Sequence, residues 1–409
     1  MQWYRELSVT ERRTFVGAFG GWAIDALDFM VFTFVISTLI NLWGIDKGQA
    51  GMLGTVTLLF SAVGGWLAGI LADRYGRVRV LQATILWFSV CTVAIGFTQN
   101  FEQIFVLRAL QGLGFGGEWA VGSVLMGEIV RAEHRGKAVG TVQSGWAIGW
   151  AVAAALYTLA FSWLPPEWAW RTLFWIGVLP AILVLYIRKH VPEPEIFQRT
   201  LSKQESTAQR PSFWAIFSPD LLKTTIVTSL LCTGVQGGYY AITTWLPTFL
   251  KTERNLSVLN TGGYLGVIIL GSFCGYIAGA YLSDKLGRRA NLLIFSVLSA
   301  ISVYVYTLLP LSNEQMLILG FPLGFAASGI FSGVGAYLTE LFPSALRANG
   351  QGFAYNFGRG VGALFPSLVG FLSKTHGLAW AIGAFAAGAY AIVILTAFLL
   401  PETKGRVLD

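Results

Sequence analysis

Charge is scarce in this chain. Only 12% of its 409 residues are charged, whereas 55% are hydrophobic, and an average soluble domain carries about twice that charge. Mean hydropathy is +0.62. Uncharged apolar runs of about 20 residues recur along the whole length, each long enough to cross a bilayer core as a helix, which excludes a water-soluble globular domain. Cysteine is nearly as rare. Cys91, Cys232 and Cys274 all lie inside apolar runs, which excludes a disulfide framework and reads as small buried side chains. Three scattered histidines argue against a structural metal. No Walker loop occurs, so nothing points to ATP as an energy source, and no nucleophile–base cluster points to an enzyme. The net charge of +7 does not imply nucleic acid, because the cations sit in short loops between apolar runs. The opening M-Q-W-Y-R-E-L-S-V-T-E-R-R is charged and lacks the leading apolar core of a cleavable signal. Ser8 and Glu11 have capping-box spacing, which predicts a helix start there, and Trp3 and Tyr4 are expected at the membrane interface.

What is present is a repeat. G-I-L-A-D-R-Y-G-R-V-R, from Gly69 to Arg79, returns as A-Y-L-S-D-K-L-G-R-R, from Ala280 to Arg289. Glu128 precedes Arg135 by seven residues in G-E-I-V-R-A-E-H-R-G, and Glu340 precedes Arg347 by seven in T-E-L-F-P-S-A-L-R-A. Both offsets are close to half the chain, as expected of a duplication. Two parallel halves imply an axis along the membrane normal and a site between them, the architecture of a secondary transporter.

The apolar runs predict an all-α integral membrane protein with twelve spans: 14–40, 50–72, 80–98, 102–128, 138–161, 169–188, 222–250, 258–283, 291–310, 315–340, 348–372 and 378–400. The domain reading is an N-terminal segment at 1–13, six-helix bundles at 14–188 and 222–400, a linker at 189–221 and a tail at 401–409. With the N-terminus cytoplasmic, all but seven of the 28 Lys and Arg fall on the cytoplasmic side; Lys47, Arg171, Lys251, Arg254 and Lys374 fall outside, and Arg108 and Arg359 lie within spans. That asymmetry predicts cytoplasmic termini and a multi-pass protein of the cytoplasmic (inner) membrane. Gly65 and Gly69, Gly112 and Gly116, and Gly145 and Gly149 have the spacing of close helix contacts.

Asp25 and Asp28 stand three apart in an apolar span and share a helix face. Intramembrane carboxylates are costly unless they meet a cavity or a partner, and crowding two of them disfavours double ionisation, a property a proton carrier needs. Arg108, a permanent cation within span four, needs a carboxylate partner. Glu118 follows ten residues later on roughly the same side, as a second proton acceptor or as the partner of Arg108. Arg359 stands without an acid in span eleven and is a candidate for docking an organic anion; the alternative is pairing with a span-one Asp. Gln236, Tyr239 and Tyr240, on a segment expected to stop at Pro247, suit a pocket wall. Asn356, Tyr355, Gln111 and Gln143 are either further pocket residues or helix–helix hydrogen bonders. Asp73, Arg77, Asp284 and Arg288, with Glu128, Arg135, Glu340 and Arg347, form either a static staple or a latch that opens.

These loops, with R-A-L-Q-G-L-G-F-G-G-E in span four and P-E-T-K-G-R near the end, resemble the major facilitator superfamily over essentially the whole chain. G-W-A-I-D-A-L-D-F, G-G-E-W-A-V-G and W-R-T-L-F-W-I-G-V-L-P are similar to the sialate:proton and aromatic-acid:proton symporters, although Ala26 replaces the glycine of the latter group's D-G-x-D. The resemblance implies the major facilitator fold in two pseudo-symmetric six-helix bundles. It implies charged loops that latch the outward-open state, and Asp28 as the proton site answered by Arg108. Function is then expected to be proton-coupled uptake of a small organic carboxylate by alternating access. The expected partners are the anion, the proton and the bilayer, with no cofactor, no nucleic acid and a monomeric state. Proton-driven efflux of a metabolite or drug is the alternative; span five, S-G-W-A-I-G-W-A, lacks the Gly-Pro pair frequent in drug antiporters.

Overall fold

A computed structural model describes residues 2–45, 47–207, 212–255 and 258–408. Among these residues there is no strand, and helices form twelve long spans. The first six are Val9–Trp43, Lys47–Tyr75, Arg77–Ile95, Phe101–Ile129, Arg135–Gln143 continued by Gly145–Trp163, and Pro166–Trp175 continued through a 3₁₀ turn by Leu179–His190. After a helix at Glu195–Thr207 come Pro219–Thr252, Val258–Leu286, Arg288–Leu308, Asn313–Gly329 continued by Phe331–Leu341, Arg347–Gly362 continued by Phe365–His376, and Leu378–Leu399. They are called spans one to twelve below.

Local sequence sets the helix ends. Ser8 and Glu11 form the expected capping box at span one, and Ser312 and Gln315 form another at span ten, each satisfying backbone N–H groups that a helix start leaves unpaired. Asn100 caps span four. Gly76 and Gly287, 211 residues apart, both adopt φ +109° where the D-x-x-G-R loops turn into spans three and nine; a side chain is strained in that conformation. Two expectations change. Span seven runs past Pro247 to Thr252, and Trp3 is buried against Phe15 rather than placed at an exposed interface.

Nine helices among the described residues are long and apolar enough to cross a membrane. Spans four, seven and eleven fall outside that set; span eleven is split into helices of 16 and 12 residues, and the three carry Arg108 and Glu118, Gln236 with Tyr239 and Tyr240, and Tyr355, Asn356 and Arg359. Their polarity is turned inward, since Arg108, Gln236 and Arg359 are each no more than 2% exposed. Cys91 and Cys232 are buried and Cys274 half-buried, all as free thiols.

The halves meet mainly through the segments nearest the D-x-x-G-R loops, Arg135–Gln143 of span five and Arg347–Gly362 of span eleven. Span eleven lies along span two where Gly65 and Gly69 leave room: a Cβ at Gly65 would overlap the Asn356 amide, and one at Gly69 the Ala348 carbonyl. Gly112 and Gly116 admit span two, and Gly145 and Gly149 admit span one, in the same way. The molecule is thus closed at its D-x-x-G-R end.

Candidate functional site

Spans five, ten and eleven break at Ser144, Ile330 and Ala363–Leu364. Beside these breaks, Gln143, Phe331 and Arg359 face an interior cavity between the halves, completed by Trp22, Phe29, Phe115, Trp146, Gln236, Tyr239, Tyr240, Tyr276 and Tyr355. Discontinuous helices lining a midplane cavity are typical of transporter binding sites. The Arg359 guanidinium lies 4.7 Å from the Phe115 ring and 5.1 Å from the Tyr355 ring. Its Nε and Nη1 are buried without a hydrogen-bond partner, and no ion pair engages it among the described residues. A buried permanent cation with two unused N–H donors can donate hydrogen bonds to a carboxylate.

The hydroxyls of Tyr240 and Tyr355 are hydrogen-bonded to the same arginine, and the cavity wall around it is tied together. Gln236 Nε2 donates to the Tyr355 carbonyl at 2.7 Å, and Tyr240 donates to Gln236 Oε1 at 3.5 Å. Tyr239 packs edge-on against Tyr240 and Phe331. Tyr355 stacks on Trp119 across the halves with ring centroids 3.3 Å apart, and Trp119 Nε1 donates to Gln143 Oε1 at 3.2 Å.

Two expected pocket residues lie elsewhere. Asn356 turns to the seam, where Nδ2 donates to the Gly116 carbonyl of span four at 3.4 Å as well as to Gly352 of its own helix at 3.0 Å. Gln111 is drawn into span three and donates to Thr92. Both act between helices, because a buried amide takes the nearest carbonyl or hydroxyl.

The acids form two groups. Asp25 faces Glu118 from span four, carboxyl to carboxyl and hydrogen-bonded, with Glu118 seated over Gly21 where any side chain would collide. Asp28 sits 2.8 Å from the Thr92 hydroxyl. Among the described residues, Arg108 makes no ion pair with a carboxylate, against the expected direct partnership. Arg108 donates to Gln111 Oε1 at 2.8 Å and to the Leu53 carbonyl at 3.4 Å, and lies 3.9 Å over the Phe32 ring. Ring and carbonyls compensate the cation where an acid was expected. Thr92 was not foreseen: a threonine inside a helix usually bonds its own backbone, and this one also does so, to Phe88 at 3.0 Å.

At the D-x-x-G-R end the eight expected charges form two matching clusters. Arg77 binds Asp73 at 2.9 Å and Glu128 at 3.1 Å, and Glu128 receives Arg347 from the other half at 2.8 Å. Arg288 binds Asp284 at 2.7 Å and Glu340 at 2.8 Å, and Glu340 receives Arg135 at 3.1 Å. Asp73 accepts from the backbone of Ala348 and Asn349 at the start of span eleven, and Asp284 from Gly136 and Lys137 at the start of span five. Each half therefore caps a helix of the other.

Two more acids belong to this end. Glu193 accepts from the backbone N–H groups of Arg77, Val78 and Arg79, and Glu402 from those of Arg288 and Arg289. Burial pushes the Glu193 carboxyl above the ordinary range, opposed by those three N–H groups. The signal for both was present as V-P-E and L-P-E, 209 residues apart. The tail adds Thr403, donating to Glu340 at 2.6 Å, and the Arg406 carbonyl, accepting from Arg135 at 2.9 Å.

Comparison with known proteins gives this arrangement a family. The family model for the major facilitator superfamily matches residues 18–314 and 267–407. The chain belongs to the major facilitator superfamily. It is therefore a multi-pass membrane transport protein and not an enzyme. A probable 4-methylmuconolactone transporter of Cupriavidus pinatubonensis is 45% identical over 407 residues, covering 100% of this chain and 94% of the relative. A cis,cis-muconate transport protein of Acinetobacter baylyi is 32% identical, covering 97% and 96%. The fold matches that of a proton:xylose symporter, XylE, solved with 6-bromo-6-deoxy-D-glucose bound, at TM-score 0.81 and 17% identity over 98% of both chains.

Proposed function

We propose that this superfamily member takes up a small organic carboxylate of the muconate or muconolactone type together with a proton, by alternating access. The observation that carries the substrate class is Arg359: a buried guanidinium with two unpaired N–H donors on the wall of an aromatic cavity. The rings of Phe115 and Tyr355 beside it suit a conjugated or cyclic acid. The names of the two relatives agree with that chemistry.

Proton coupling rests on the acids. A hydrogen bond between the Asp25 and Glu118 carboxyls needs one proton between them, and Asp28 keeps Oδ1 unpaired. In the cycle we propose, the carboxylate docks on Arg359 and the proton on the span-one acids, and the charge clusters then release. For a monoanion carried with one proton, no net charge moves.

The proposed setting is the cytoplasmic membrane, with two six-helix bundles at 14–188 and 222–400, linker and termini cytoplasmic, a monomeric chain and no cofactor besides the proton gradient. The form described would then be closed on the cytoplasmic side. Purified protein in liposomes tests the reading: labelled cis,cis-muconate should accumulate inside when the exterior is made acidic, and an uncoupler should abolish the accumulation. Accumulation only with an acidic lumen would indicate proton-driven efflux instead. Accumulation indifferent to the proton gradient would overturn proton coupling.

A further inference from the structure

Asp28 and Arg108 are a carboxylate and a guanidinium that a membrane interior should drive together, yet they are held apart. No ion pair joins them. Asp28 Oδ1 and Arg108 Nη2 are both buried and both without a partner. Three hydrogen bonds run between the two groups instead. Arg108 Nη1 donates to Gln111 Oε1 at 2.8 Å, Gln111 Nε2 donates to Thr92 Oγ1 at 2.7 Å, and Thr92 Oγ1 lies 2.8 Å from Asp28 Oδ2. Gly177 of span six lies against both Thr92 and Asp28, and its missing side chain lets them meet.

A hydroxyl has one proton and two lone pairs. Gln111 occupies one lone pair. When Asp28 is ionised, the Thr92 proton points at Oδ2. When Asp28 carries a proton, the carboxyl donates to the second lone pair, and the Thr92 proton turns to the Phe88 carbonyl, 3.0 Å away. Neither state leaves a broken bond, and no heavy atom has to move. The other charges bearing on Asp28 are Asp25 on its own helix and Glu118 and Arg108 from span four; spans three and six bring Thr92 and Gly177, which carry none.

We propose that Thr92, seated by Gln111, is a positioning residue of the proton site. It keeps Asp28 hydrogen-bonded in both protonation states and keeps Arg108 from closing on Asp28 as a permanent ion pair. This rests on the proton coupling proposed above. Without the hydroxyl, the two orphaned atoms, Oδ1 and Nη2, are free to pair, and a carboxylate locked on a guanidinium no longer cycles a proton.

The test compares wild type, Thr92→Val, Thr92→Ser and Asp28→Asn in proteoliposomes, with cis,cis-muconate as the probe. Thr92→Val should lose pH-driven accumulation and the pH dependence of net uptake, while equilibrium exchange of the probe continues. Thr92→Ser should restore both, since it returns the hydroxyl without the methyl. Thr92→Val accumulating like wild type would overturn the proposal, as would equal loss of exchange and accumulation with no rescue by serine. The Asp28→Asn arm separates the two levels. If it loses accumulation while Thr92→Val does not, only the role of Thr92 fails; if both accumulate normally, the proton reading fails with it.

Discussion

Arg347 reaches Glu128 across the seam between the halves at 2.8 Å, with both side chains fully buried. Its counterpart, Arg135 to Glu340 at 3.1 Å, crosses in the opposite direction. Buried charges stripped of one partner are destabilising by about 3–5 kcal/mol, whereas the intact pair contributes little beyond its own desolvation. Such contacts suit a closure that must come undone, because opening can rehydrate both partners at once.

Arg347→Ala should therefore lower the thermal stability of the purified protein and open its D-x-x-G-R end. The check is the labelling rate of a cysteine introduced at Ser344, which lies beside Arg77 and Arg347 in the closed form. Faster labelling is expected, and an unchanged rate would mean that the pair does not hold the halves together.

Gly65→Val should act on the same equilibrium from the membrane interior. Its side chain would occupy the place of the Asn356 amide, so spans two and eleven could not approach as they do. The variant should favour the form open at the D-x-x-G-R end, again read by labelling at position 344. Gly263→Val, where a Cβ would meet nothing within 4 Å, is the matched control and should leave the rate unchanged.

Arg359→Ala should weaken binding of cis,cis-muconate. Hydrogen bonds to a charged group contribute about 1.5–3 kcal/mol, which corresponds to roughly ten- to a hundredfold in affinity. Thermal stabilisation of the purified protein by the ligand measures this, since ligand binding raises apparent stability by mass action. Arg359→Lys should recover part of the effect, keeping the charge but losing the planar set of N–H donors.

Glu193→Ala and Glu402→Ala should each cost about 0.5–2 kcal/mol, the range for losing a helix N-cap, with substrate affinity unchanged. The caps hold the starts of spans three and nine, well away from the cavity residues.

Much of this was legible in the sequence because duplication printed it twice. The eight charges of the clusters were read from spacing alone, and all eight meet as two related sets. Span boundaries followed from apolar runs, with Ser8 and Glu11 marking a start that the structure keeps. What escaped was contact between segments with no local signature. Gln111 and Asn356 look alike in sequence to Gln236, and only packing decides which amide faces the cavity. Thr92 is one hydroxyl among many in apolar helices. Arg108 was expected to find an acid and found a ring and two carbonyl oxygens, because Gln111 lies one turn away on its own helix. Glu193 and Glu402 act on helix starts more than a hundred residues distant, although the repeated Pro-Glu marked them.

Span-one chemistry should couple the anion to a proton. Asp28→Asn in proteoliposomes tests it most directly, because asparagine keeps the shape and removes the titratable group. In that variant an imposed pH gradient should no longer drive cis,cis-muconate accumulation, while exchange of internal for external substrate persists. Uphill accumulation at the wild-type level in that variant would contradict it.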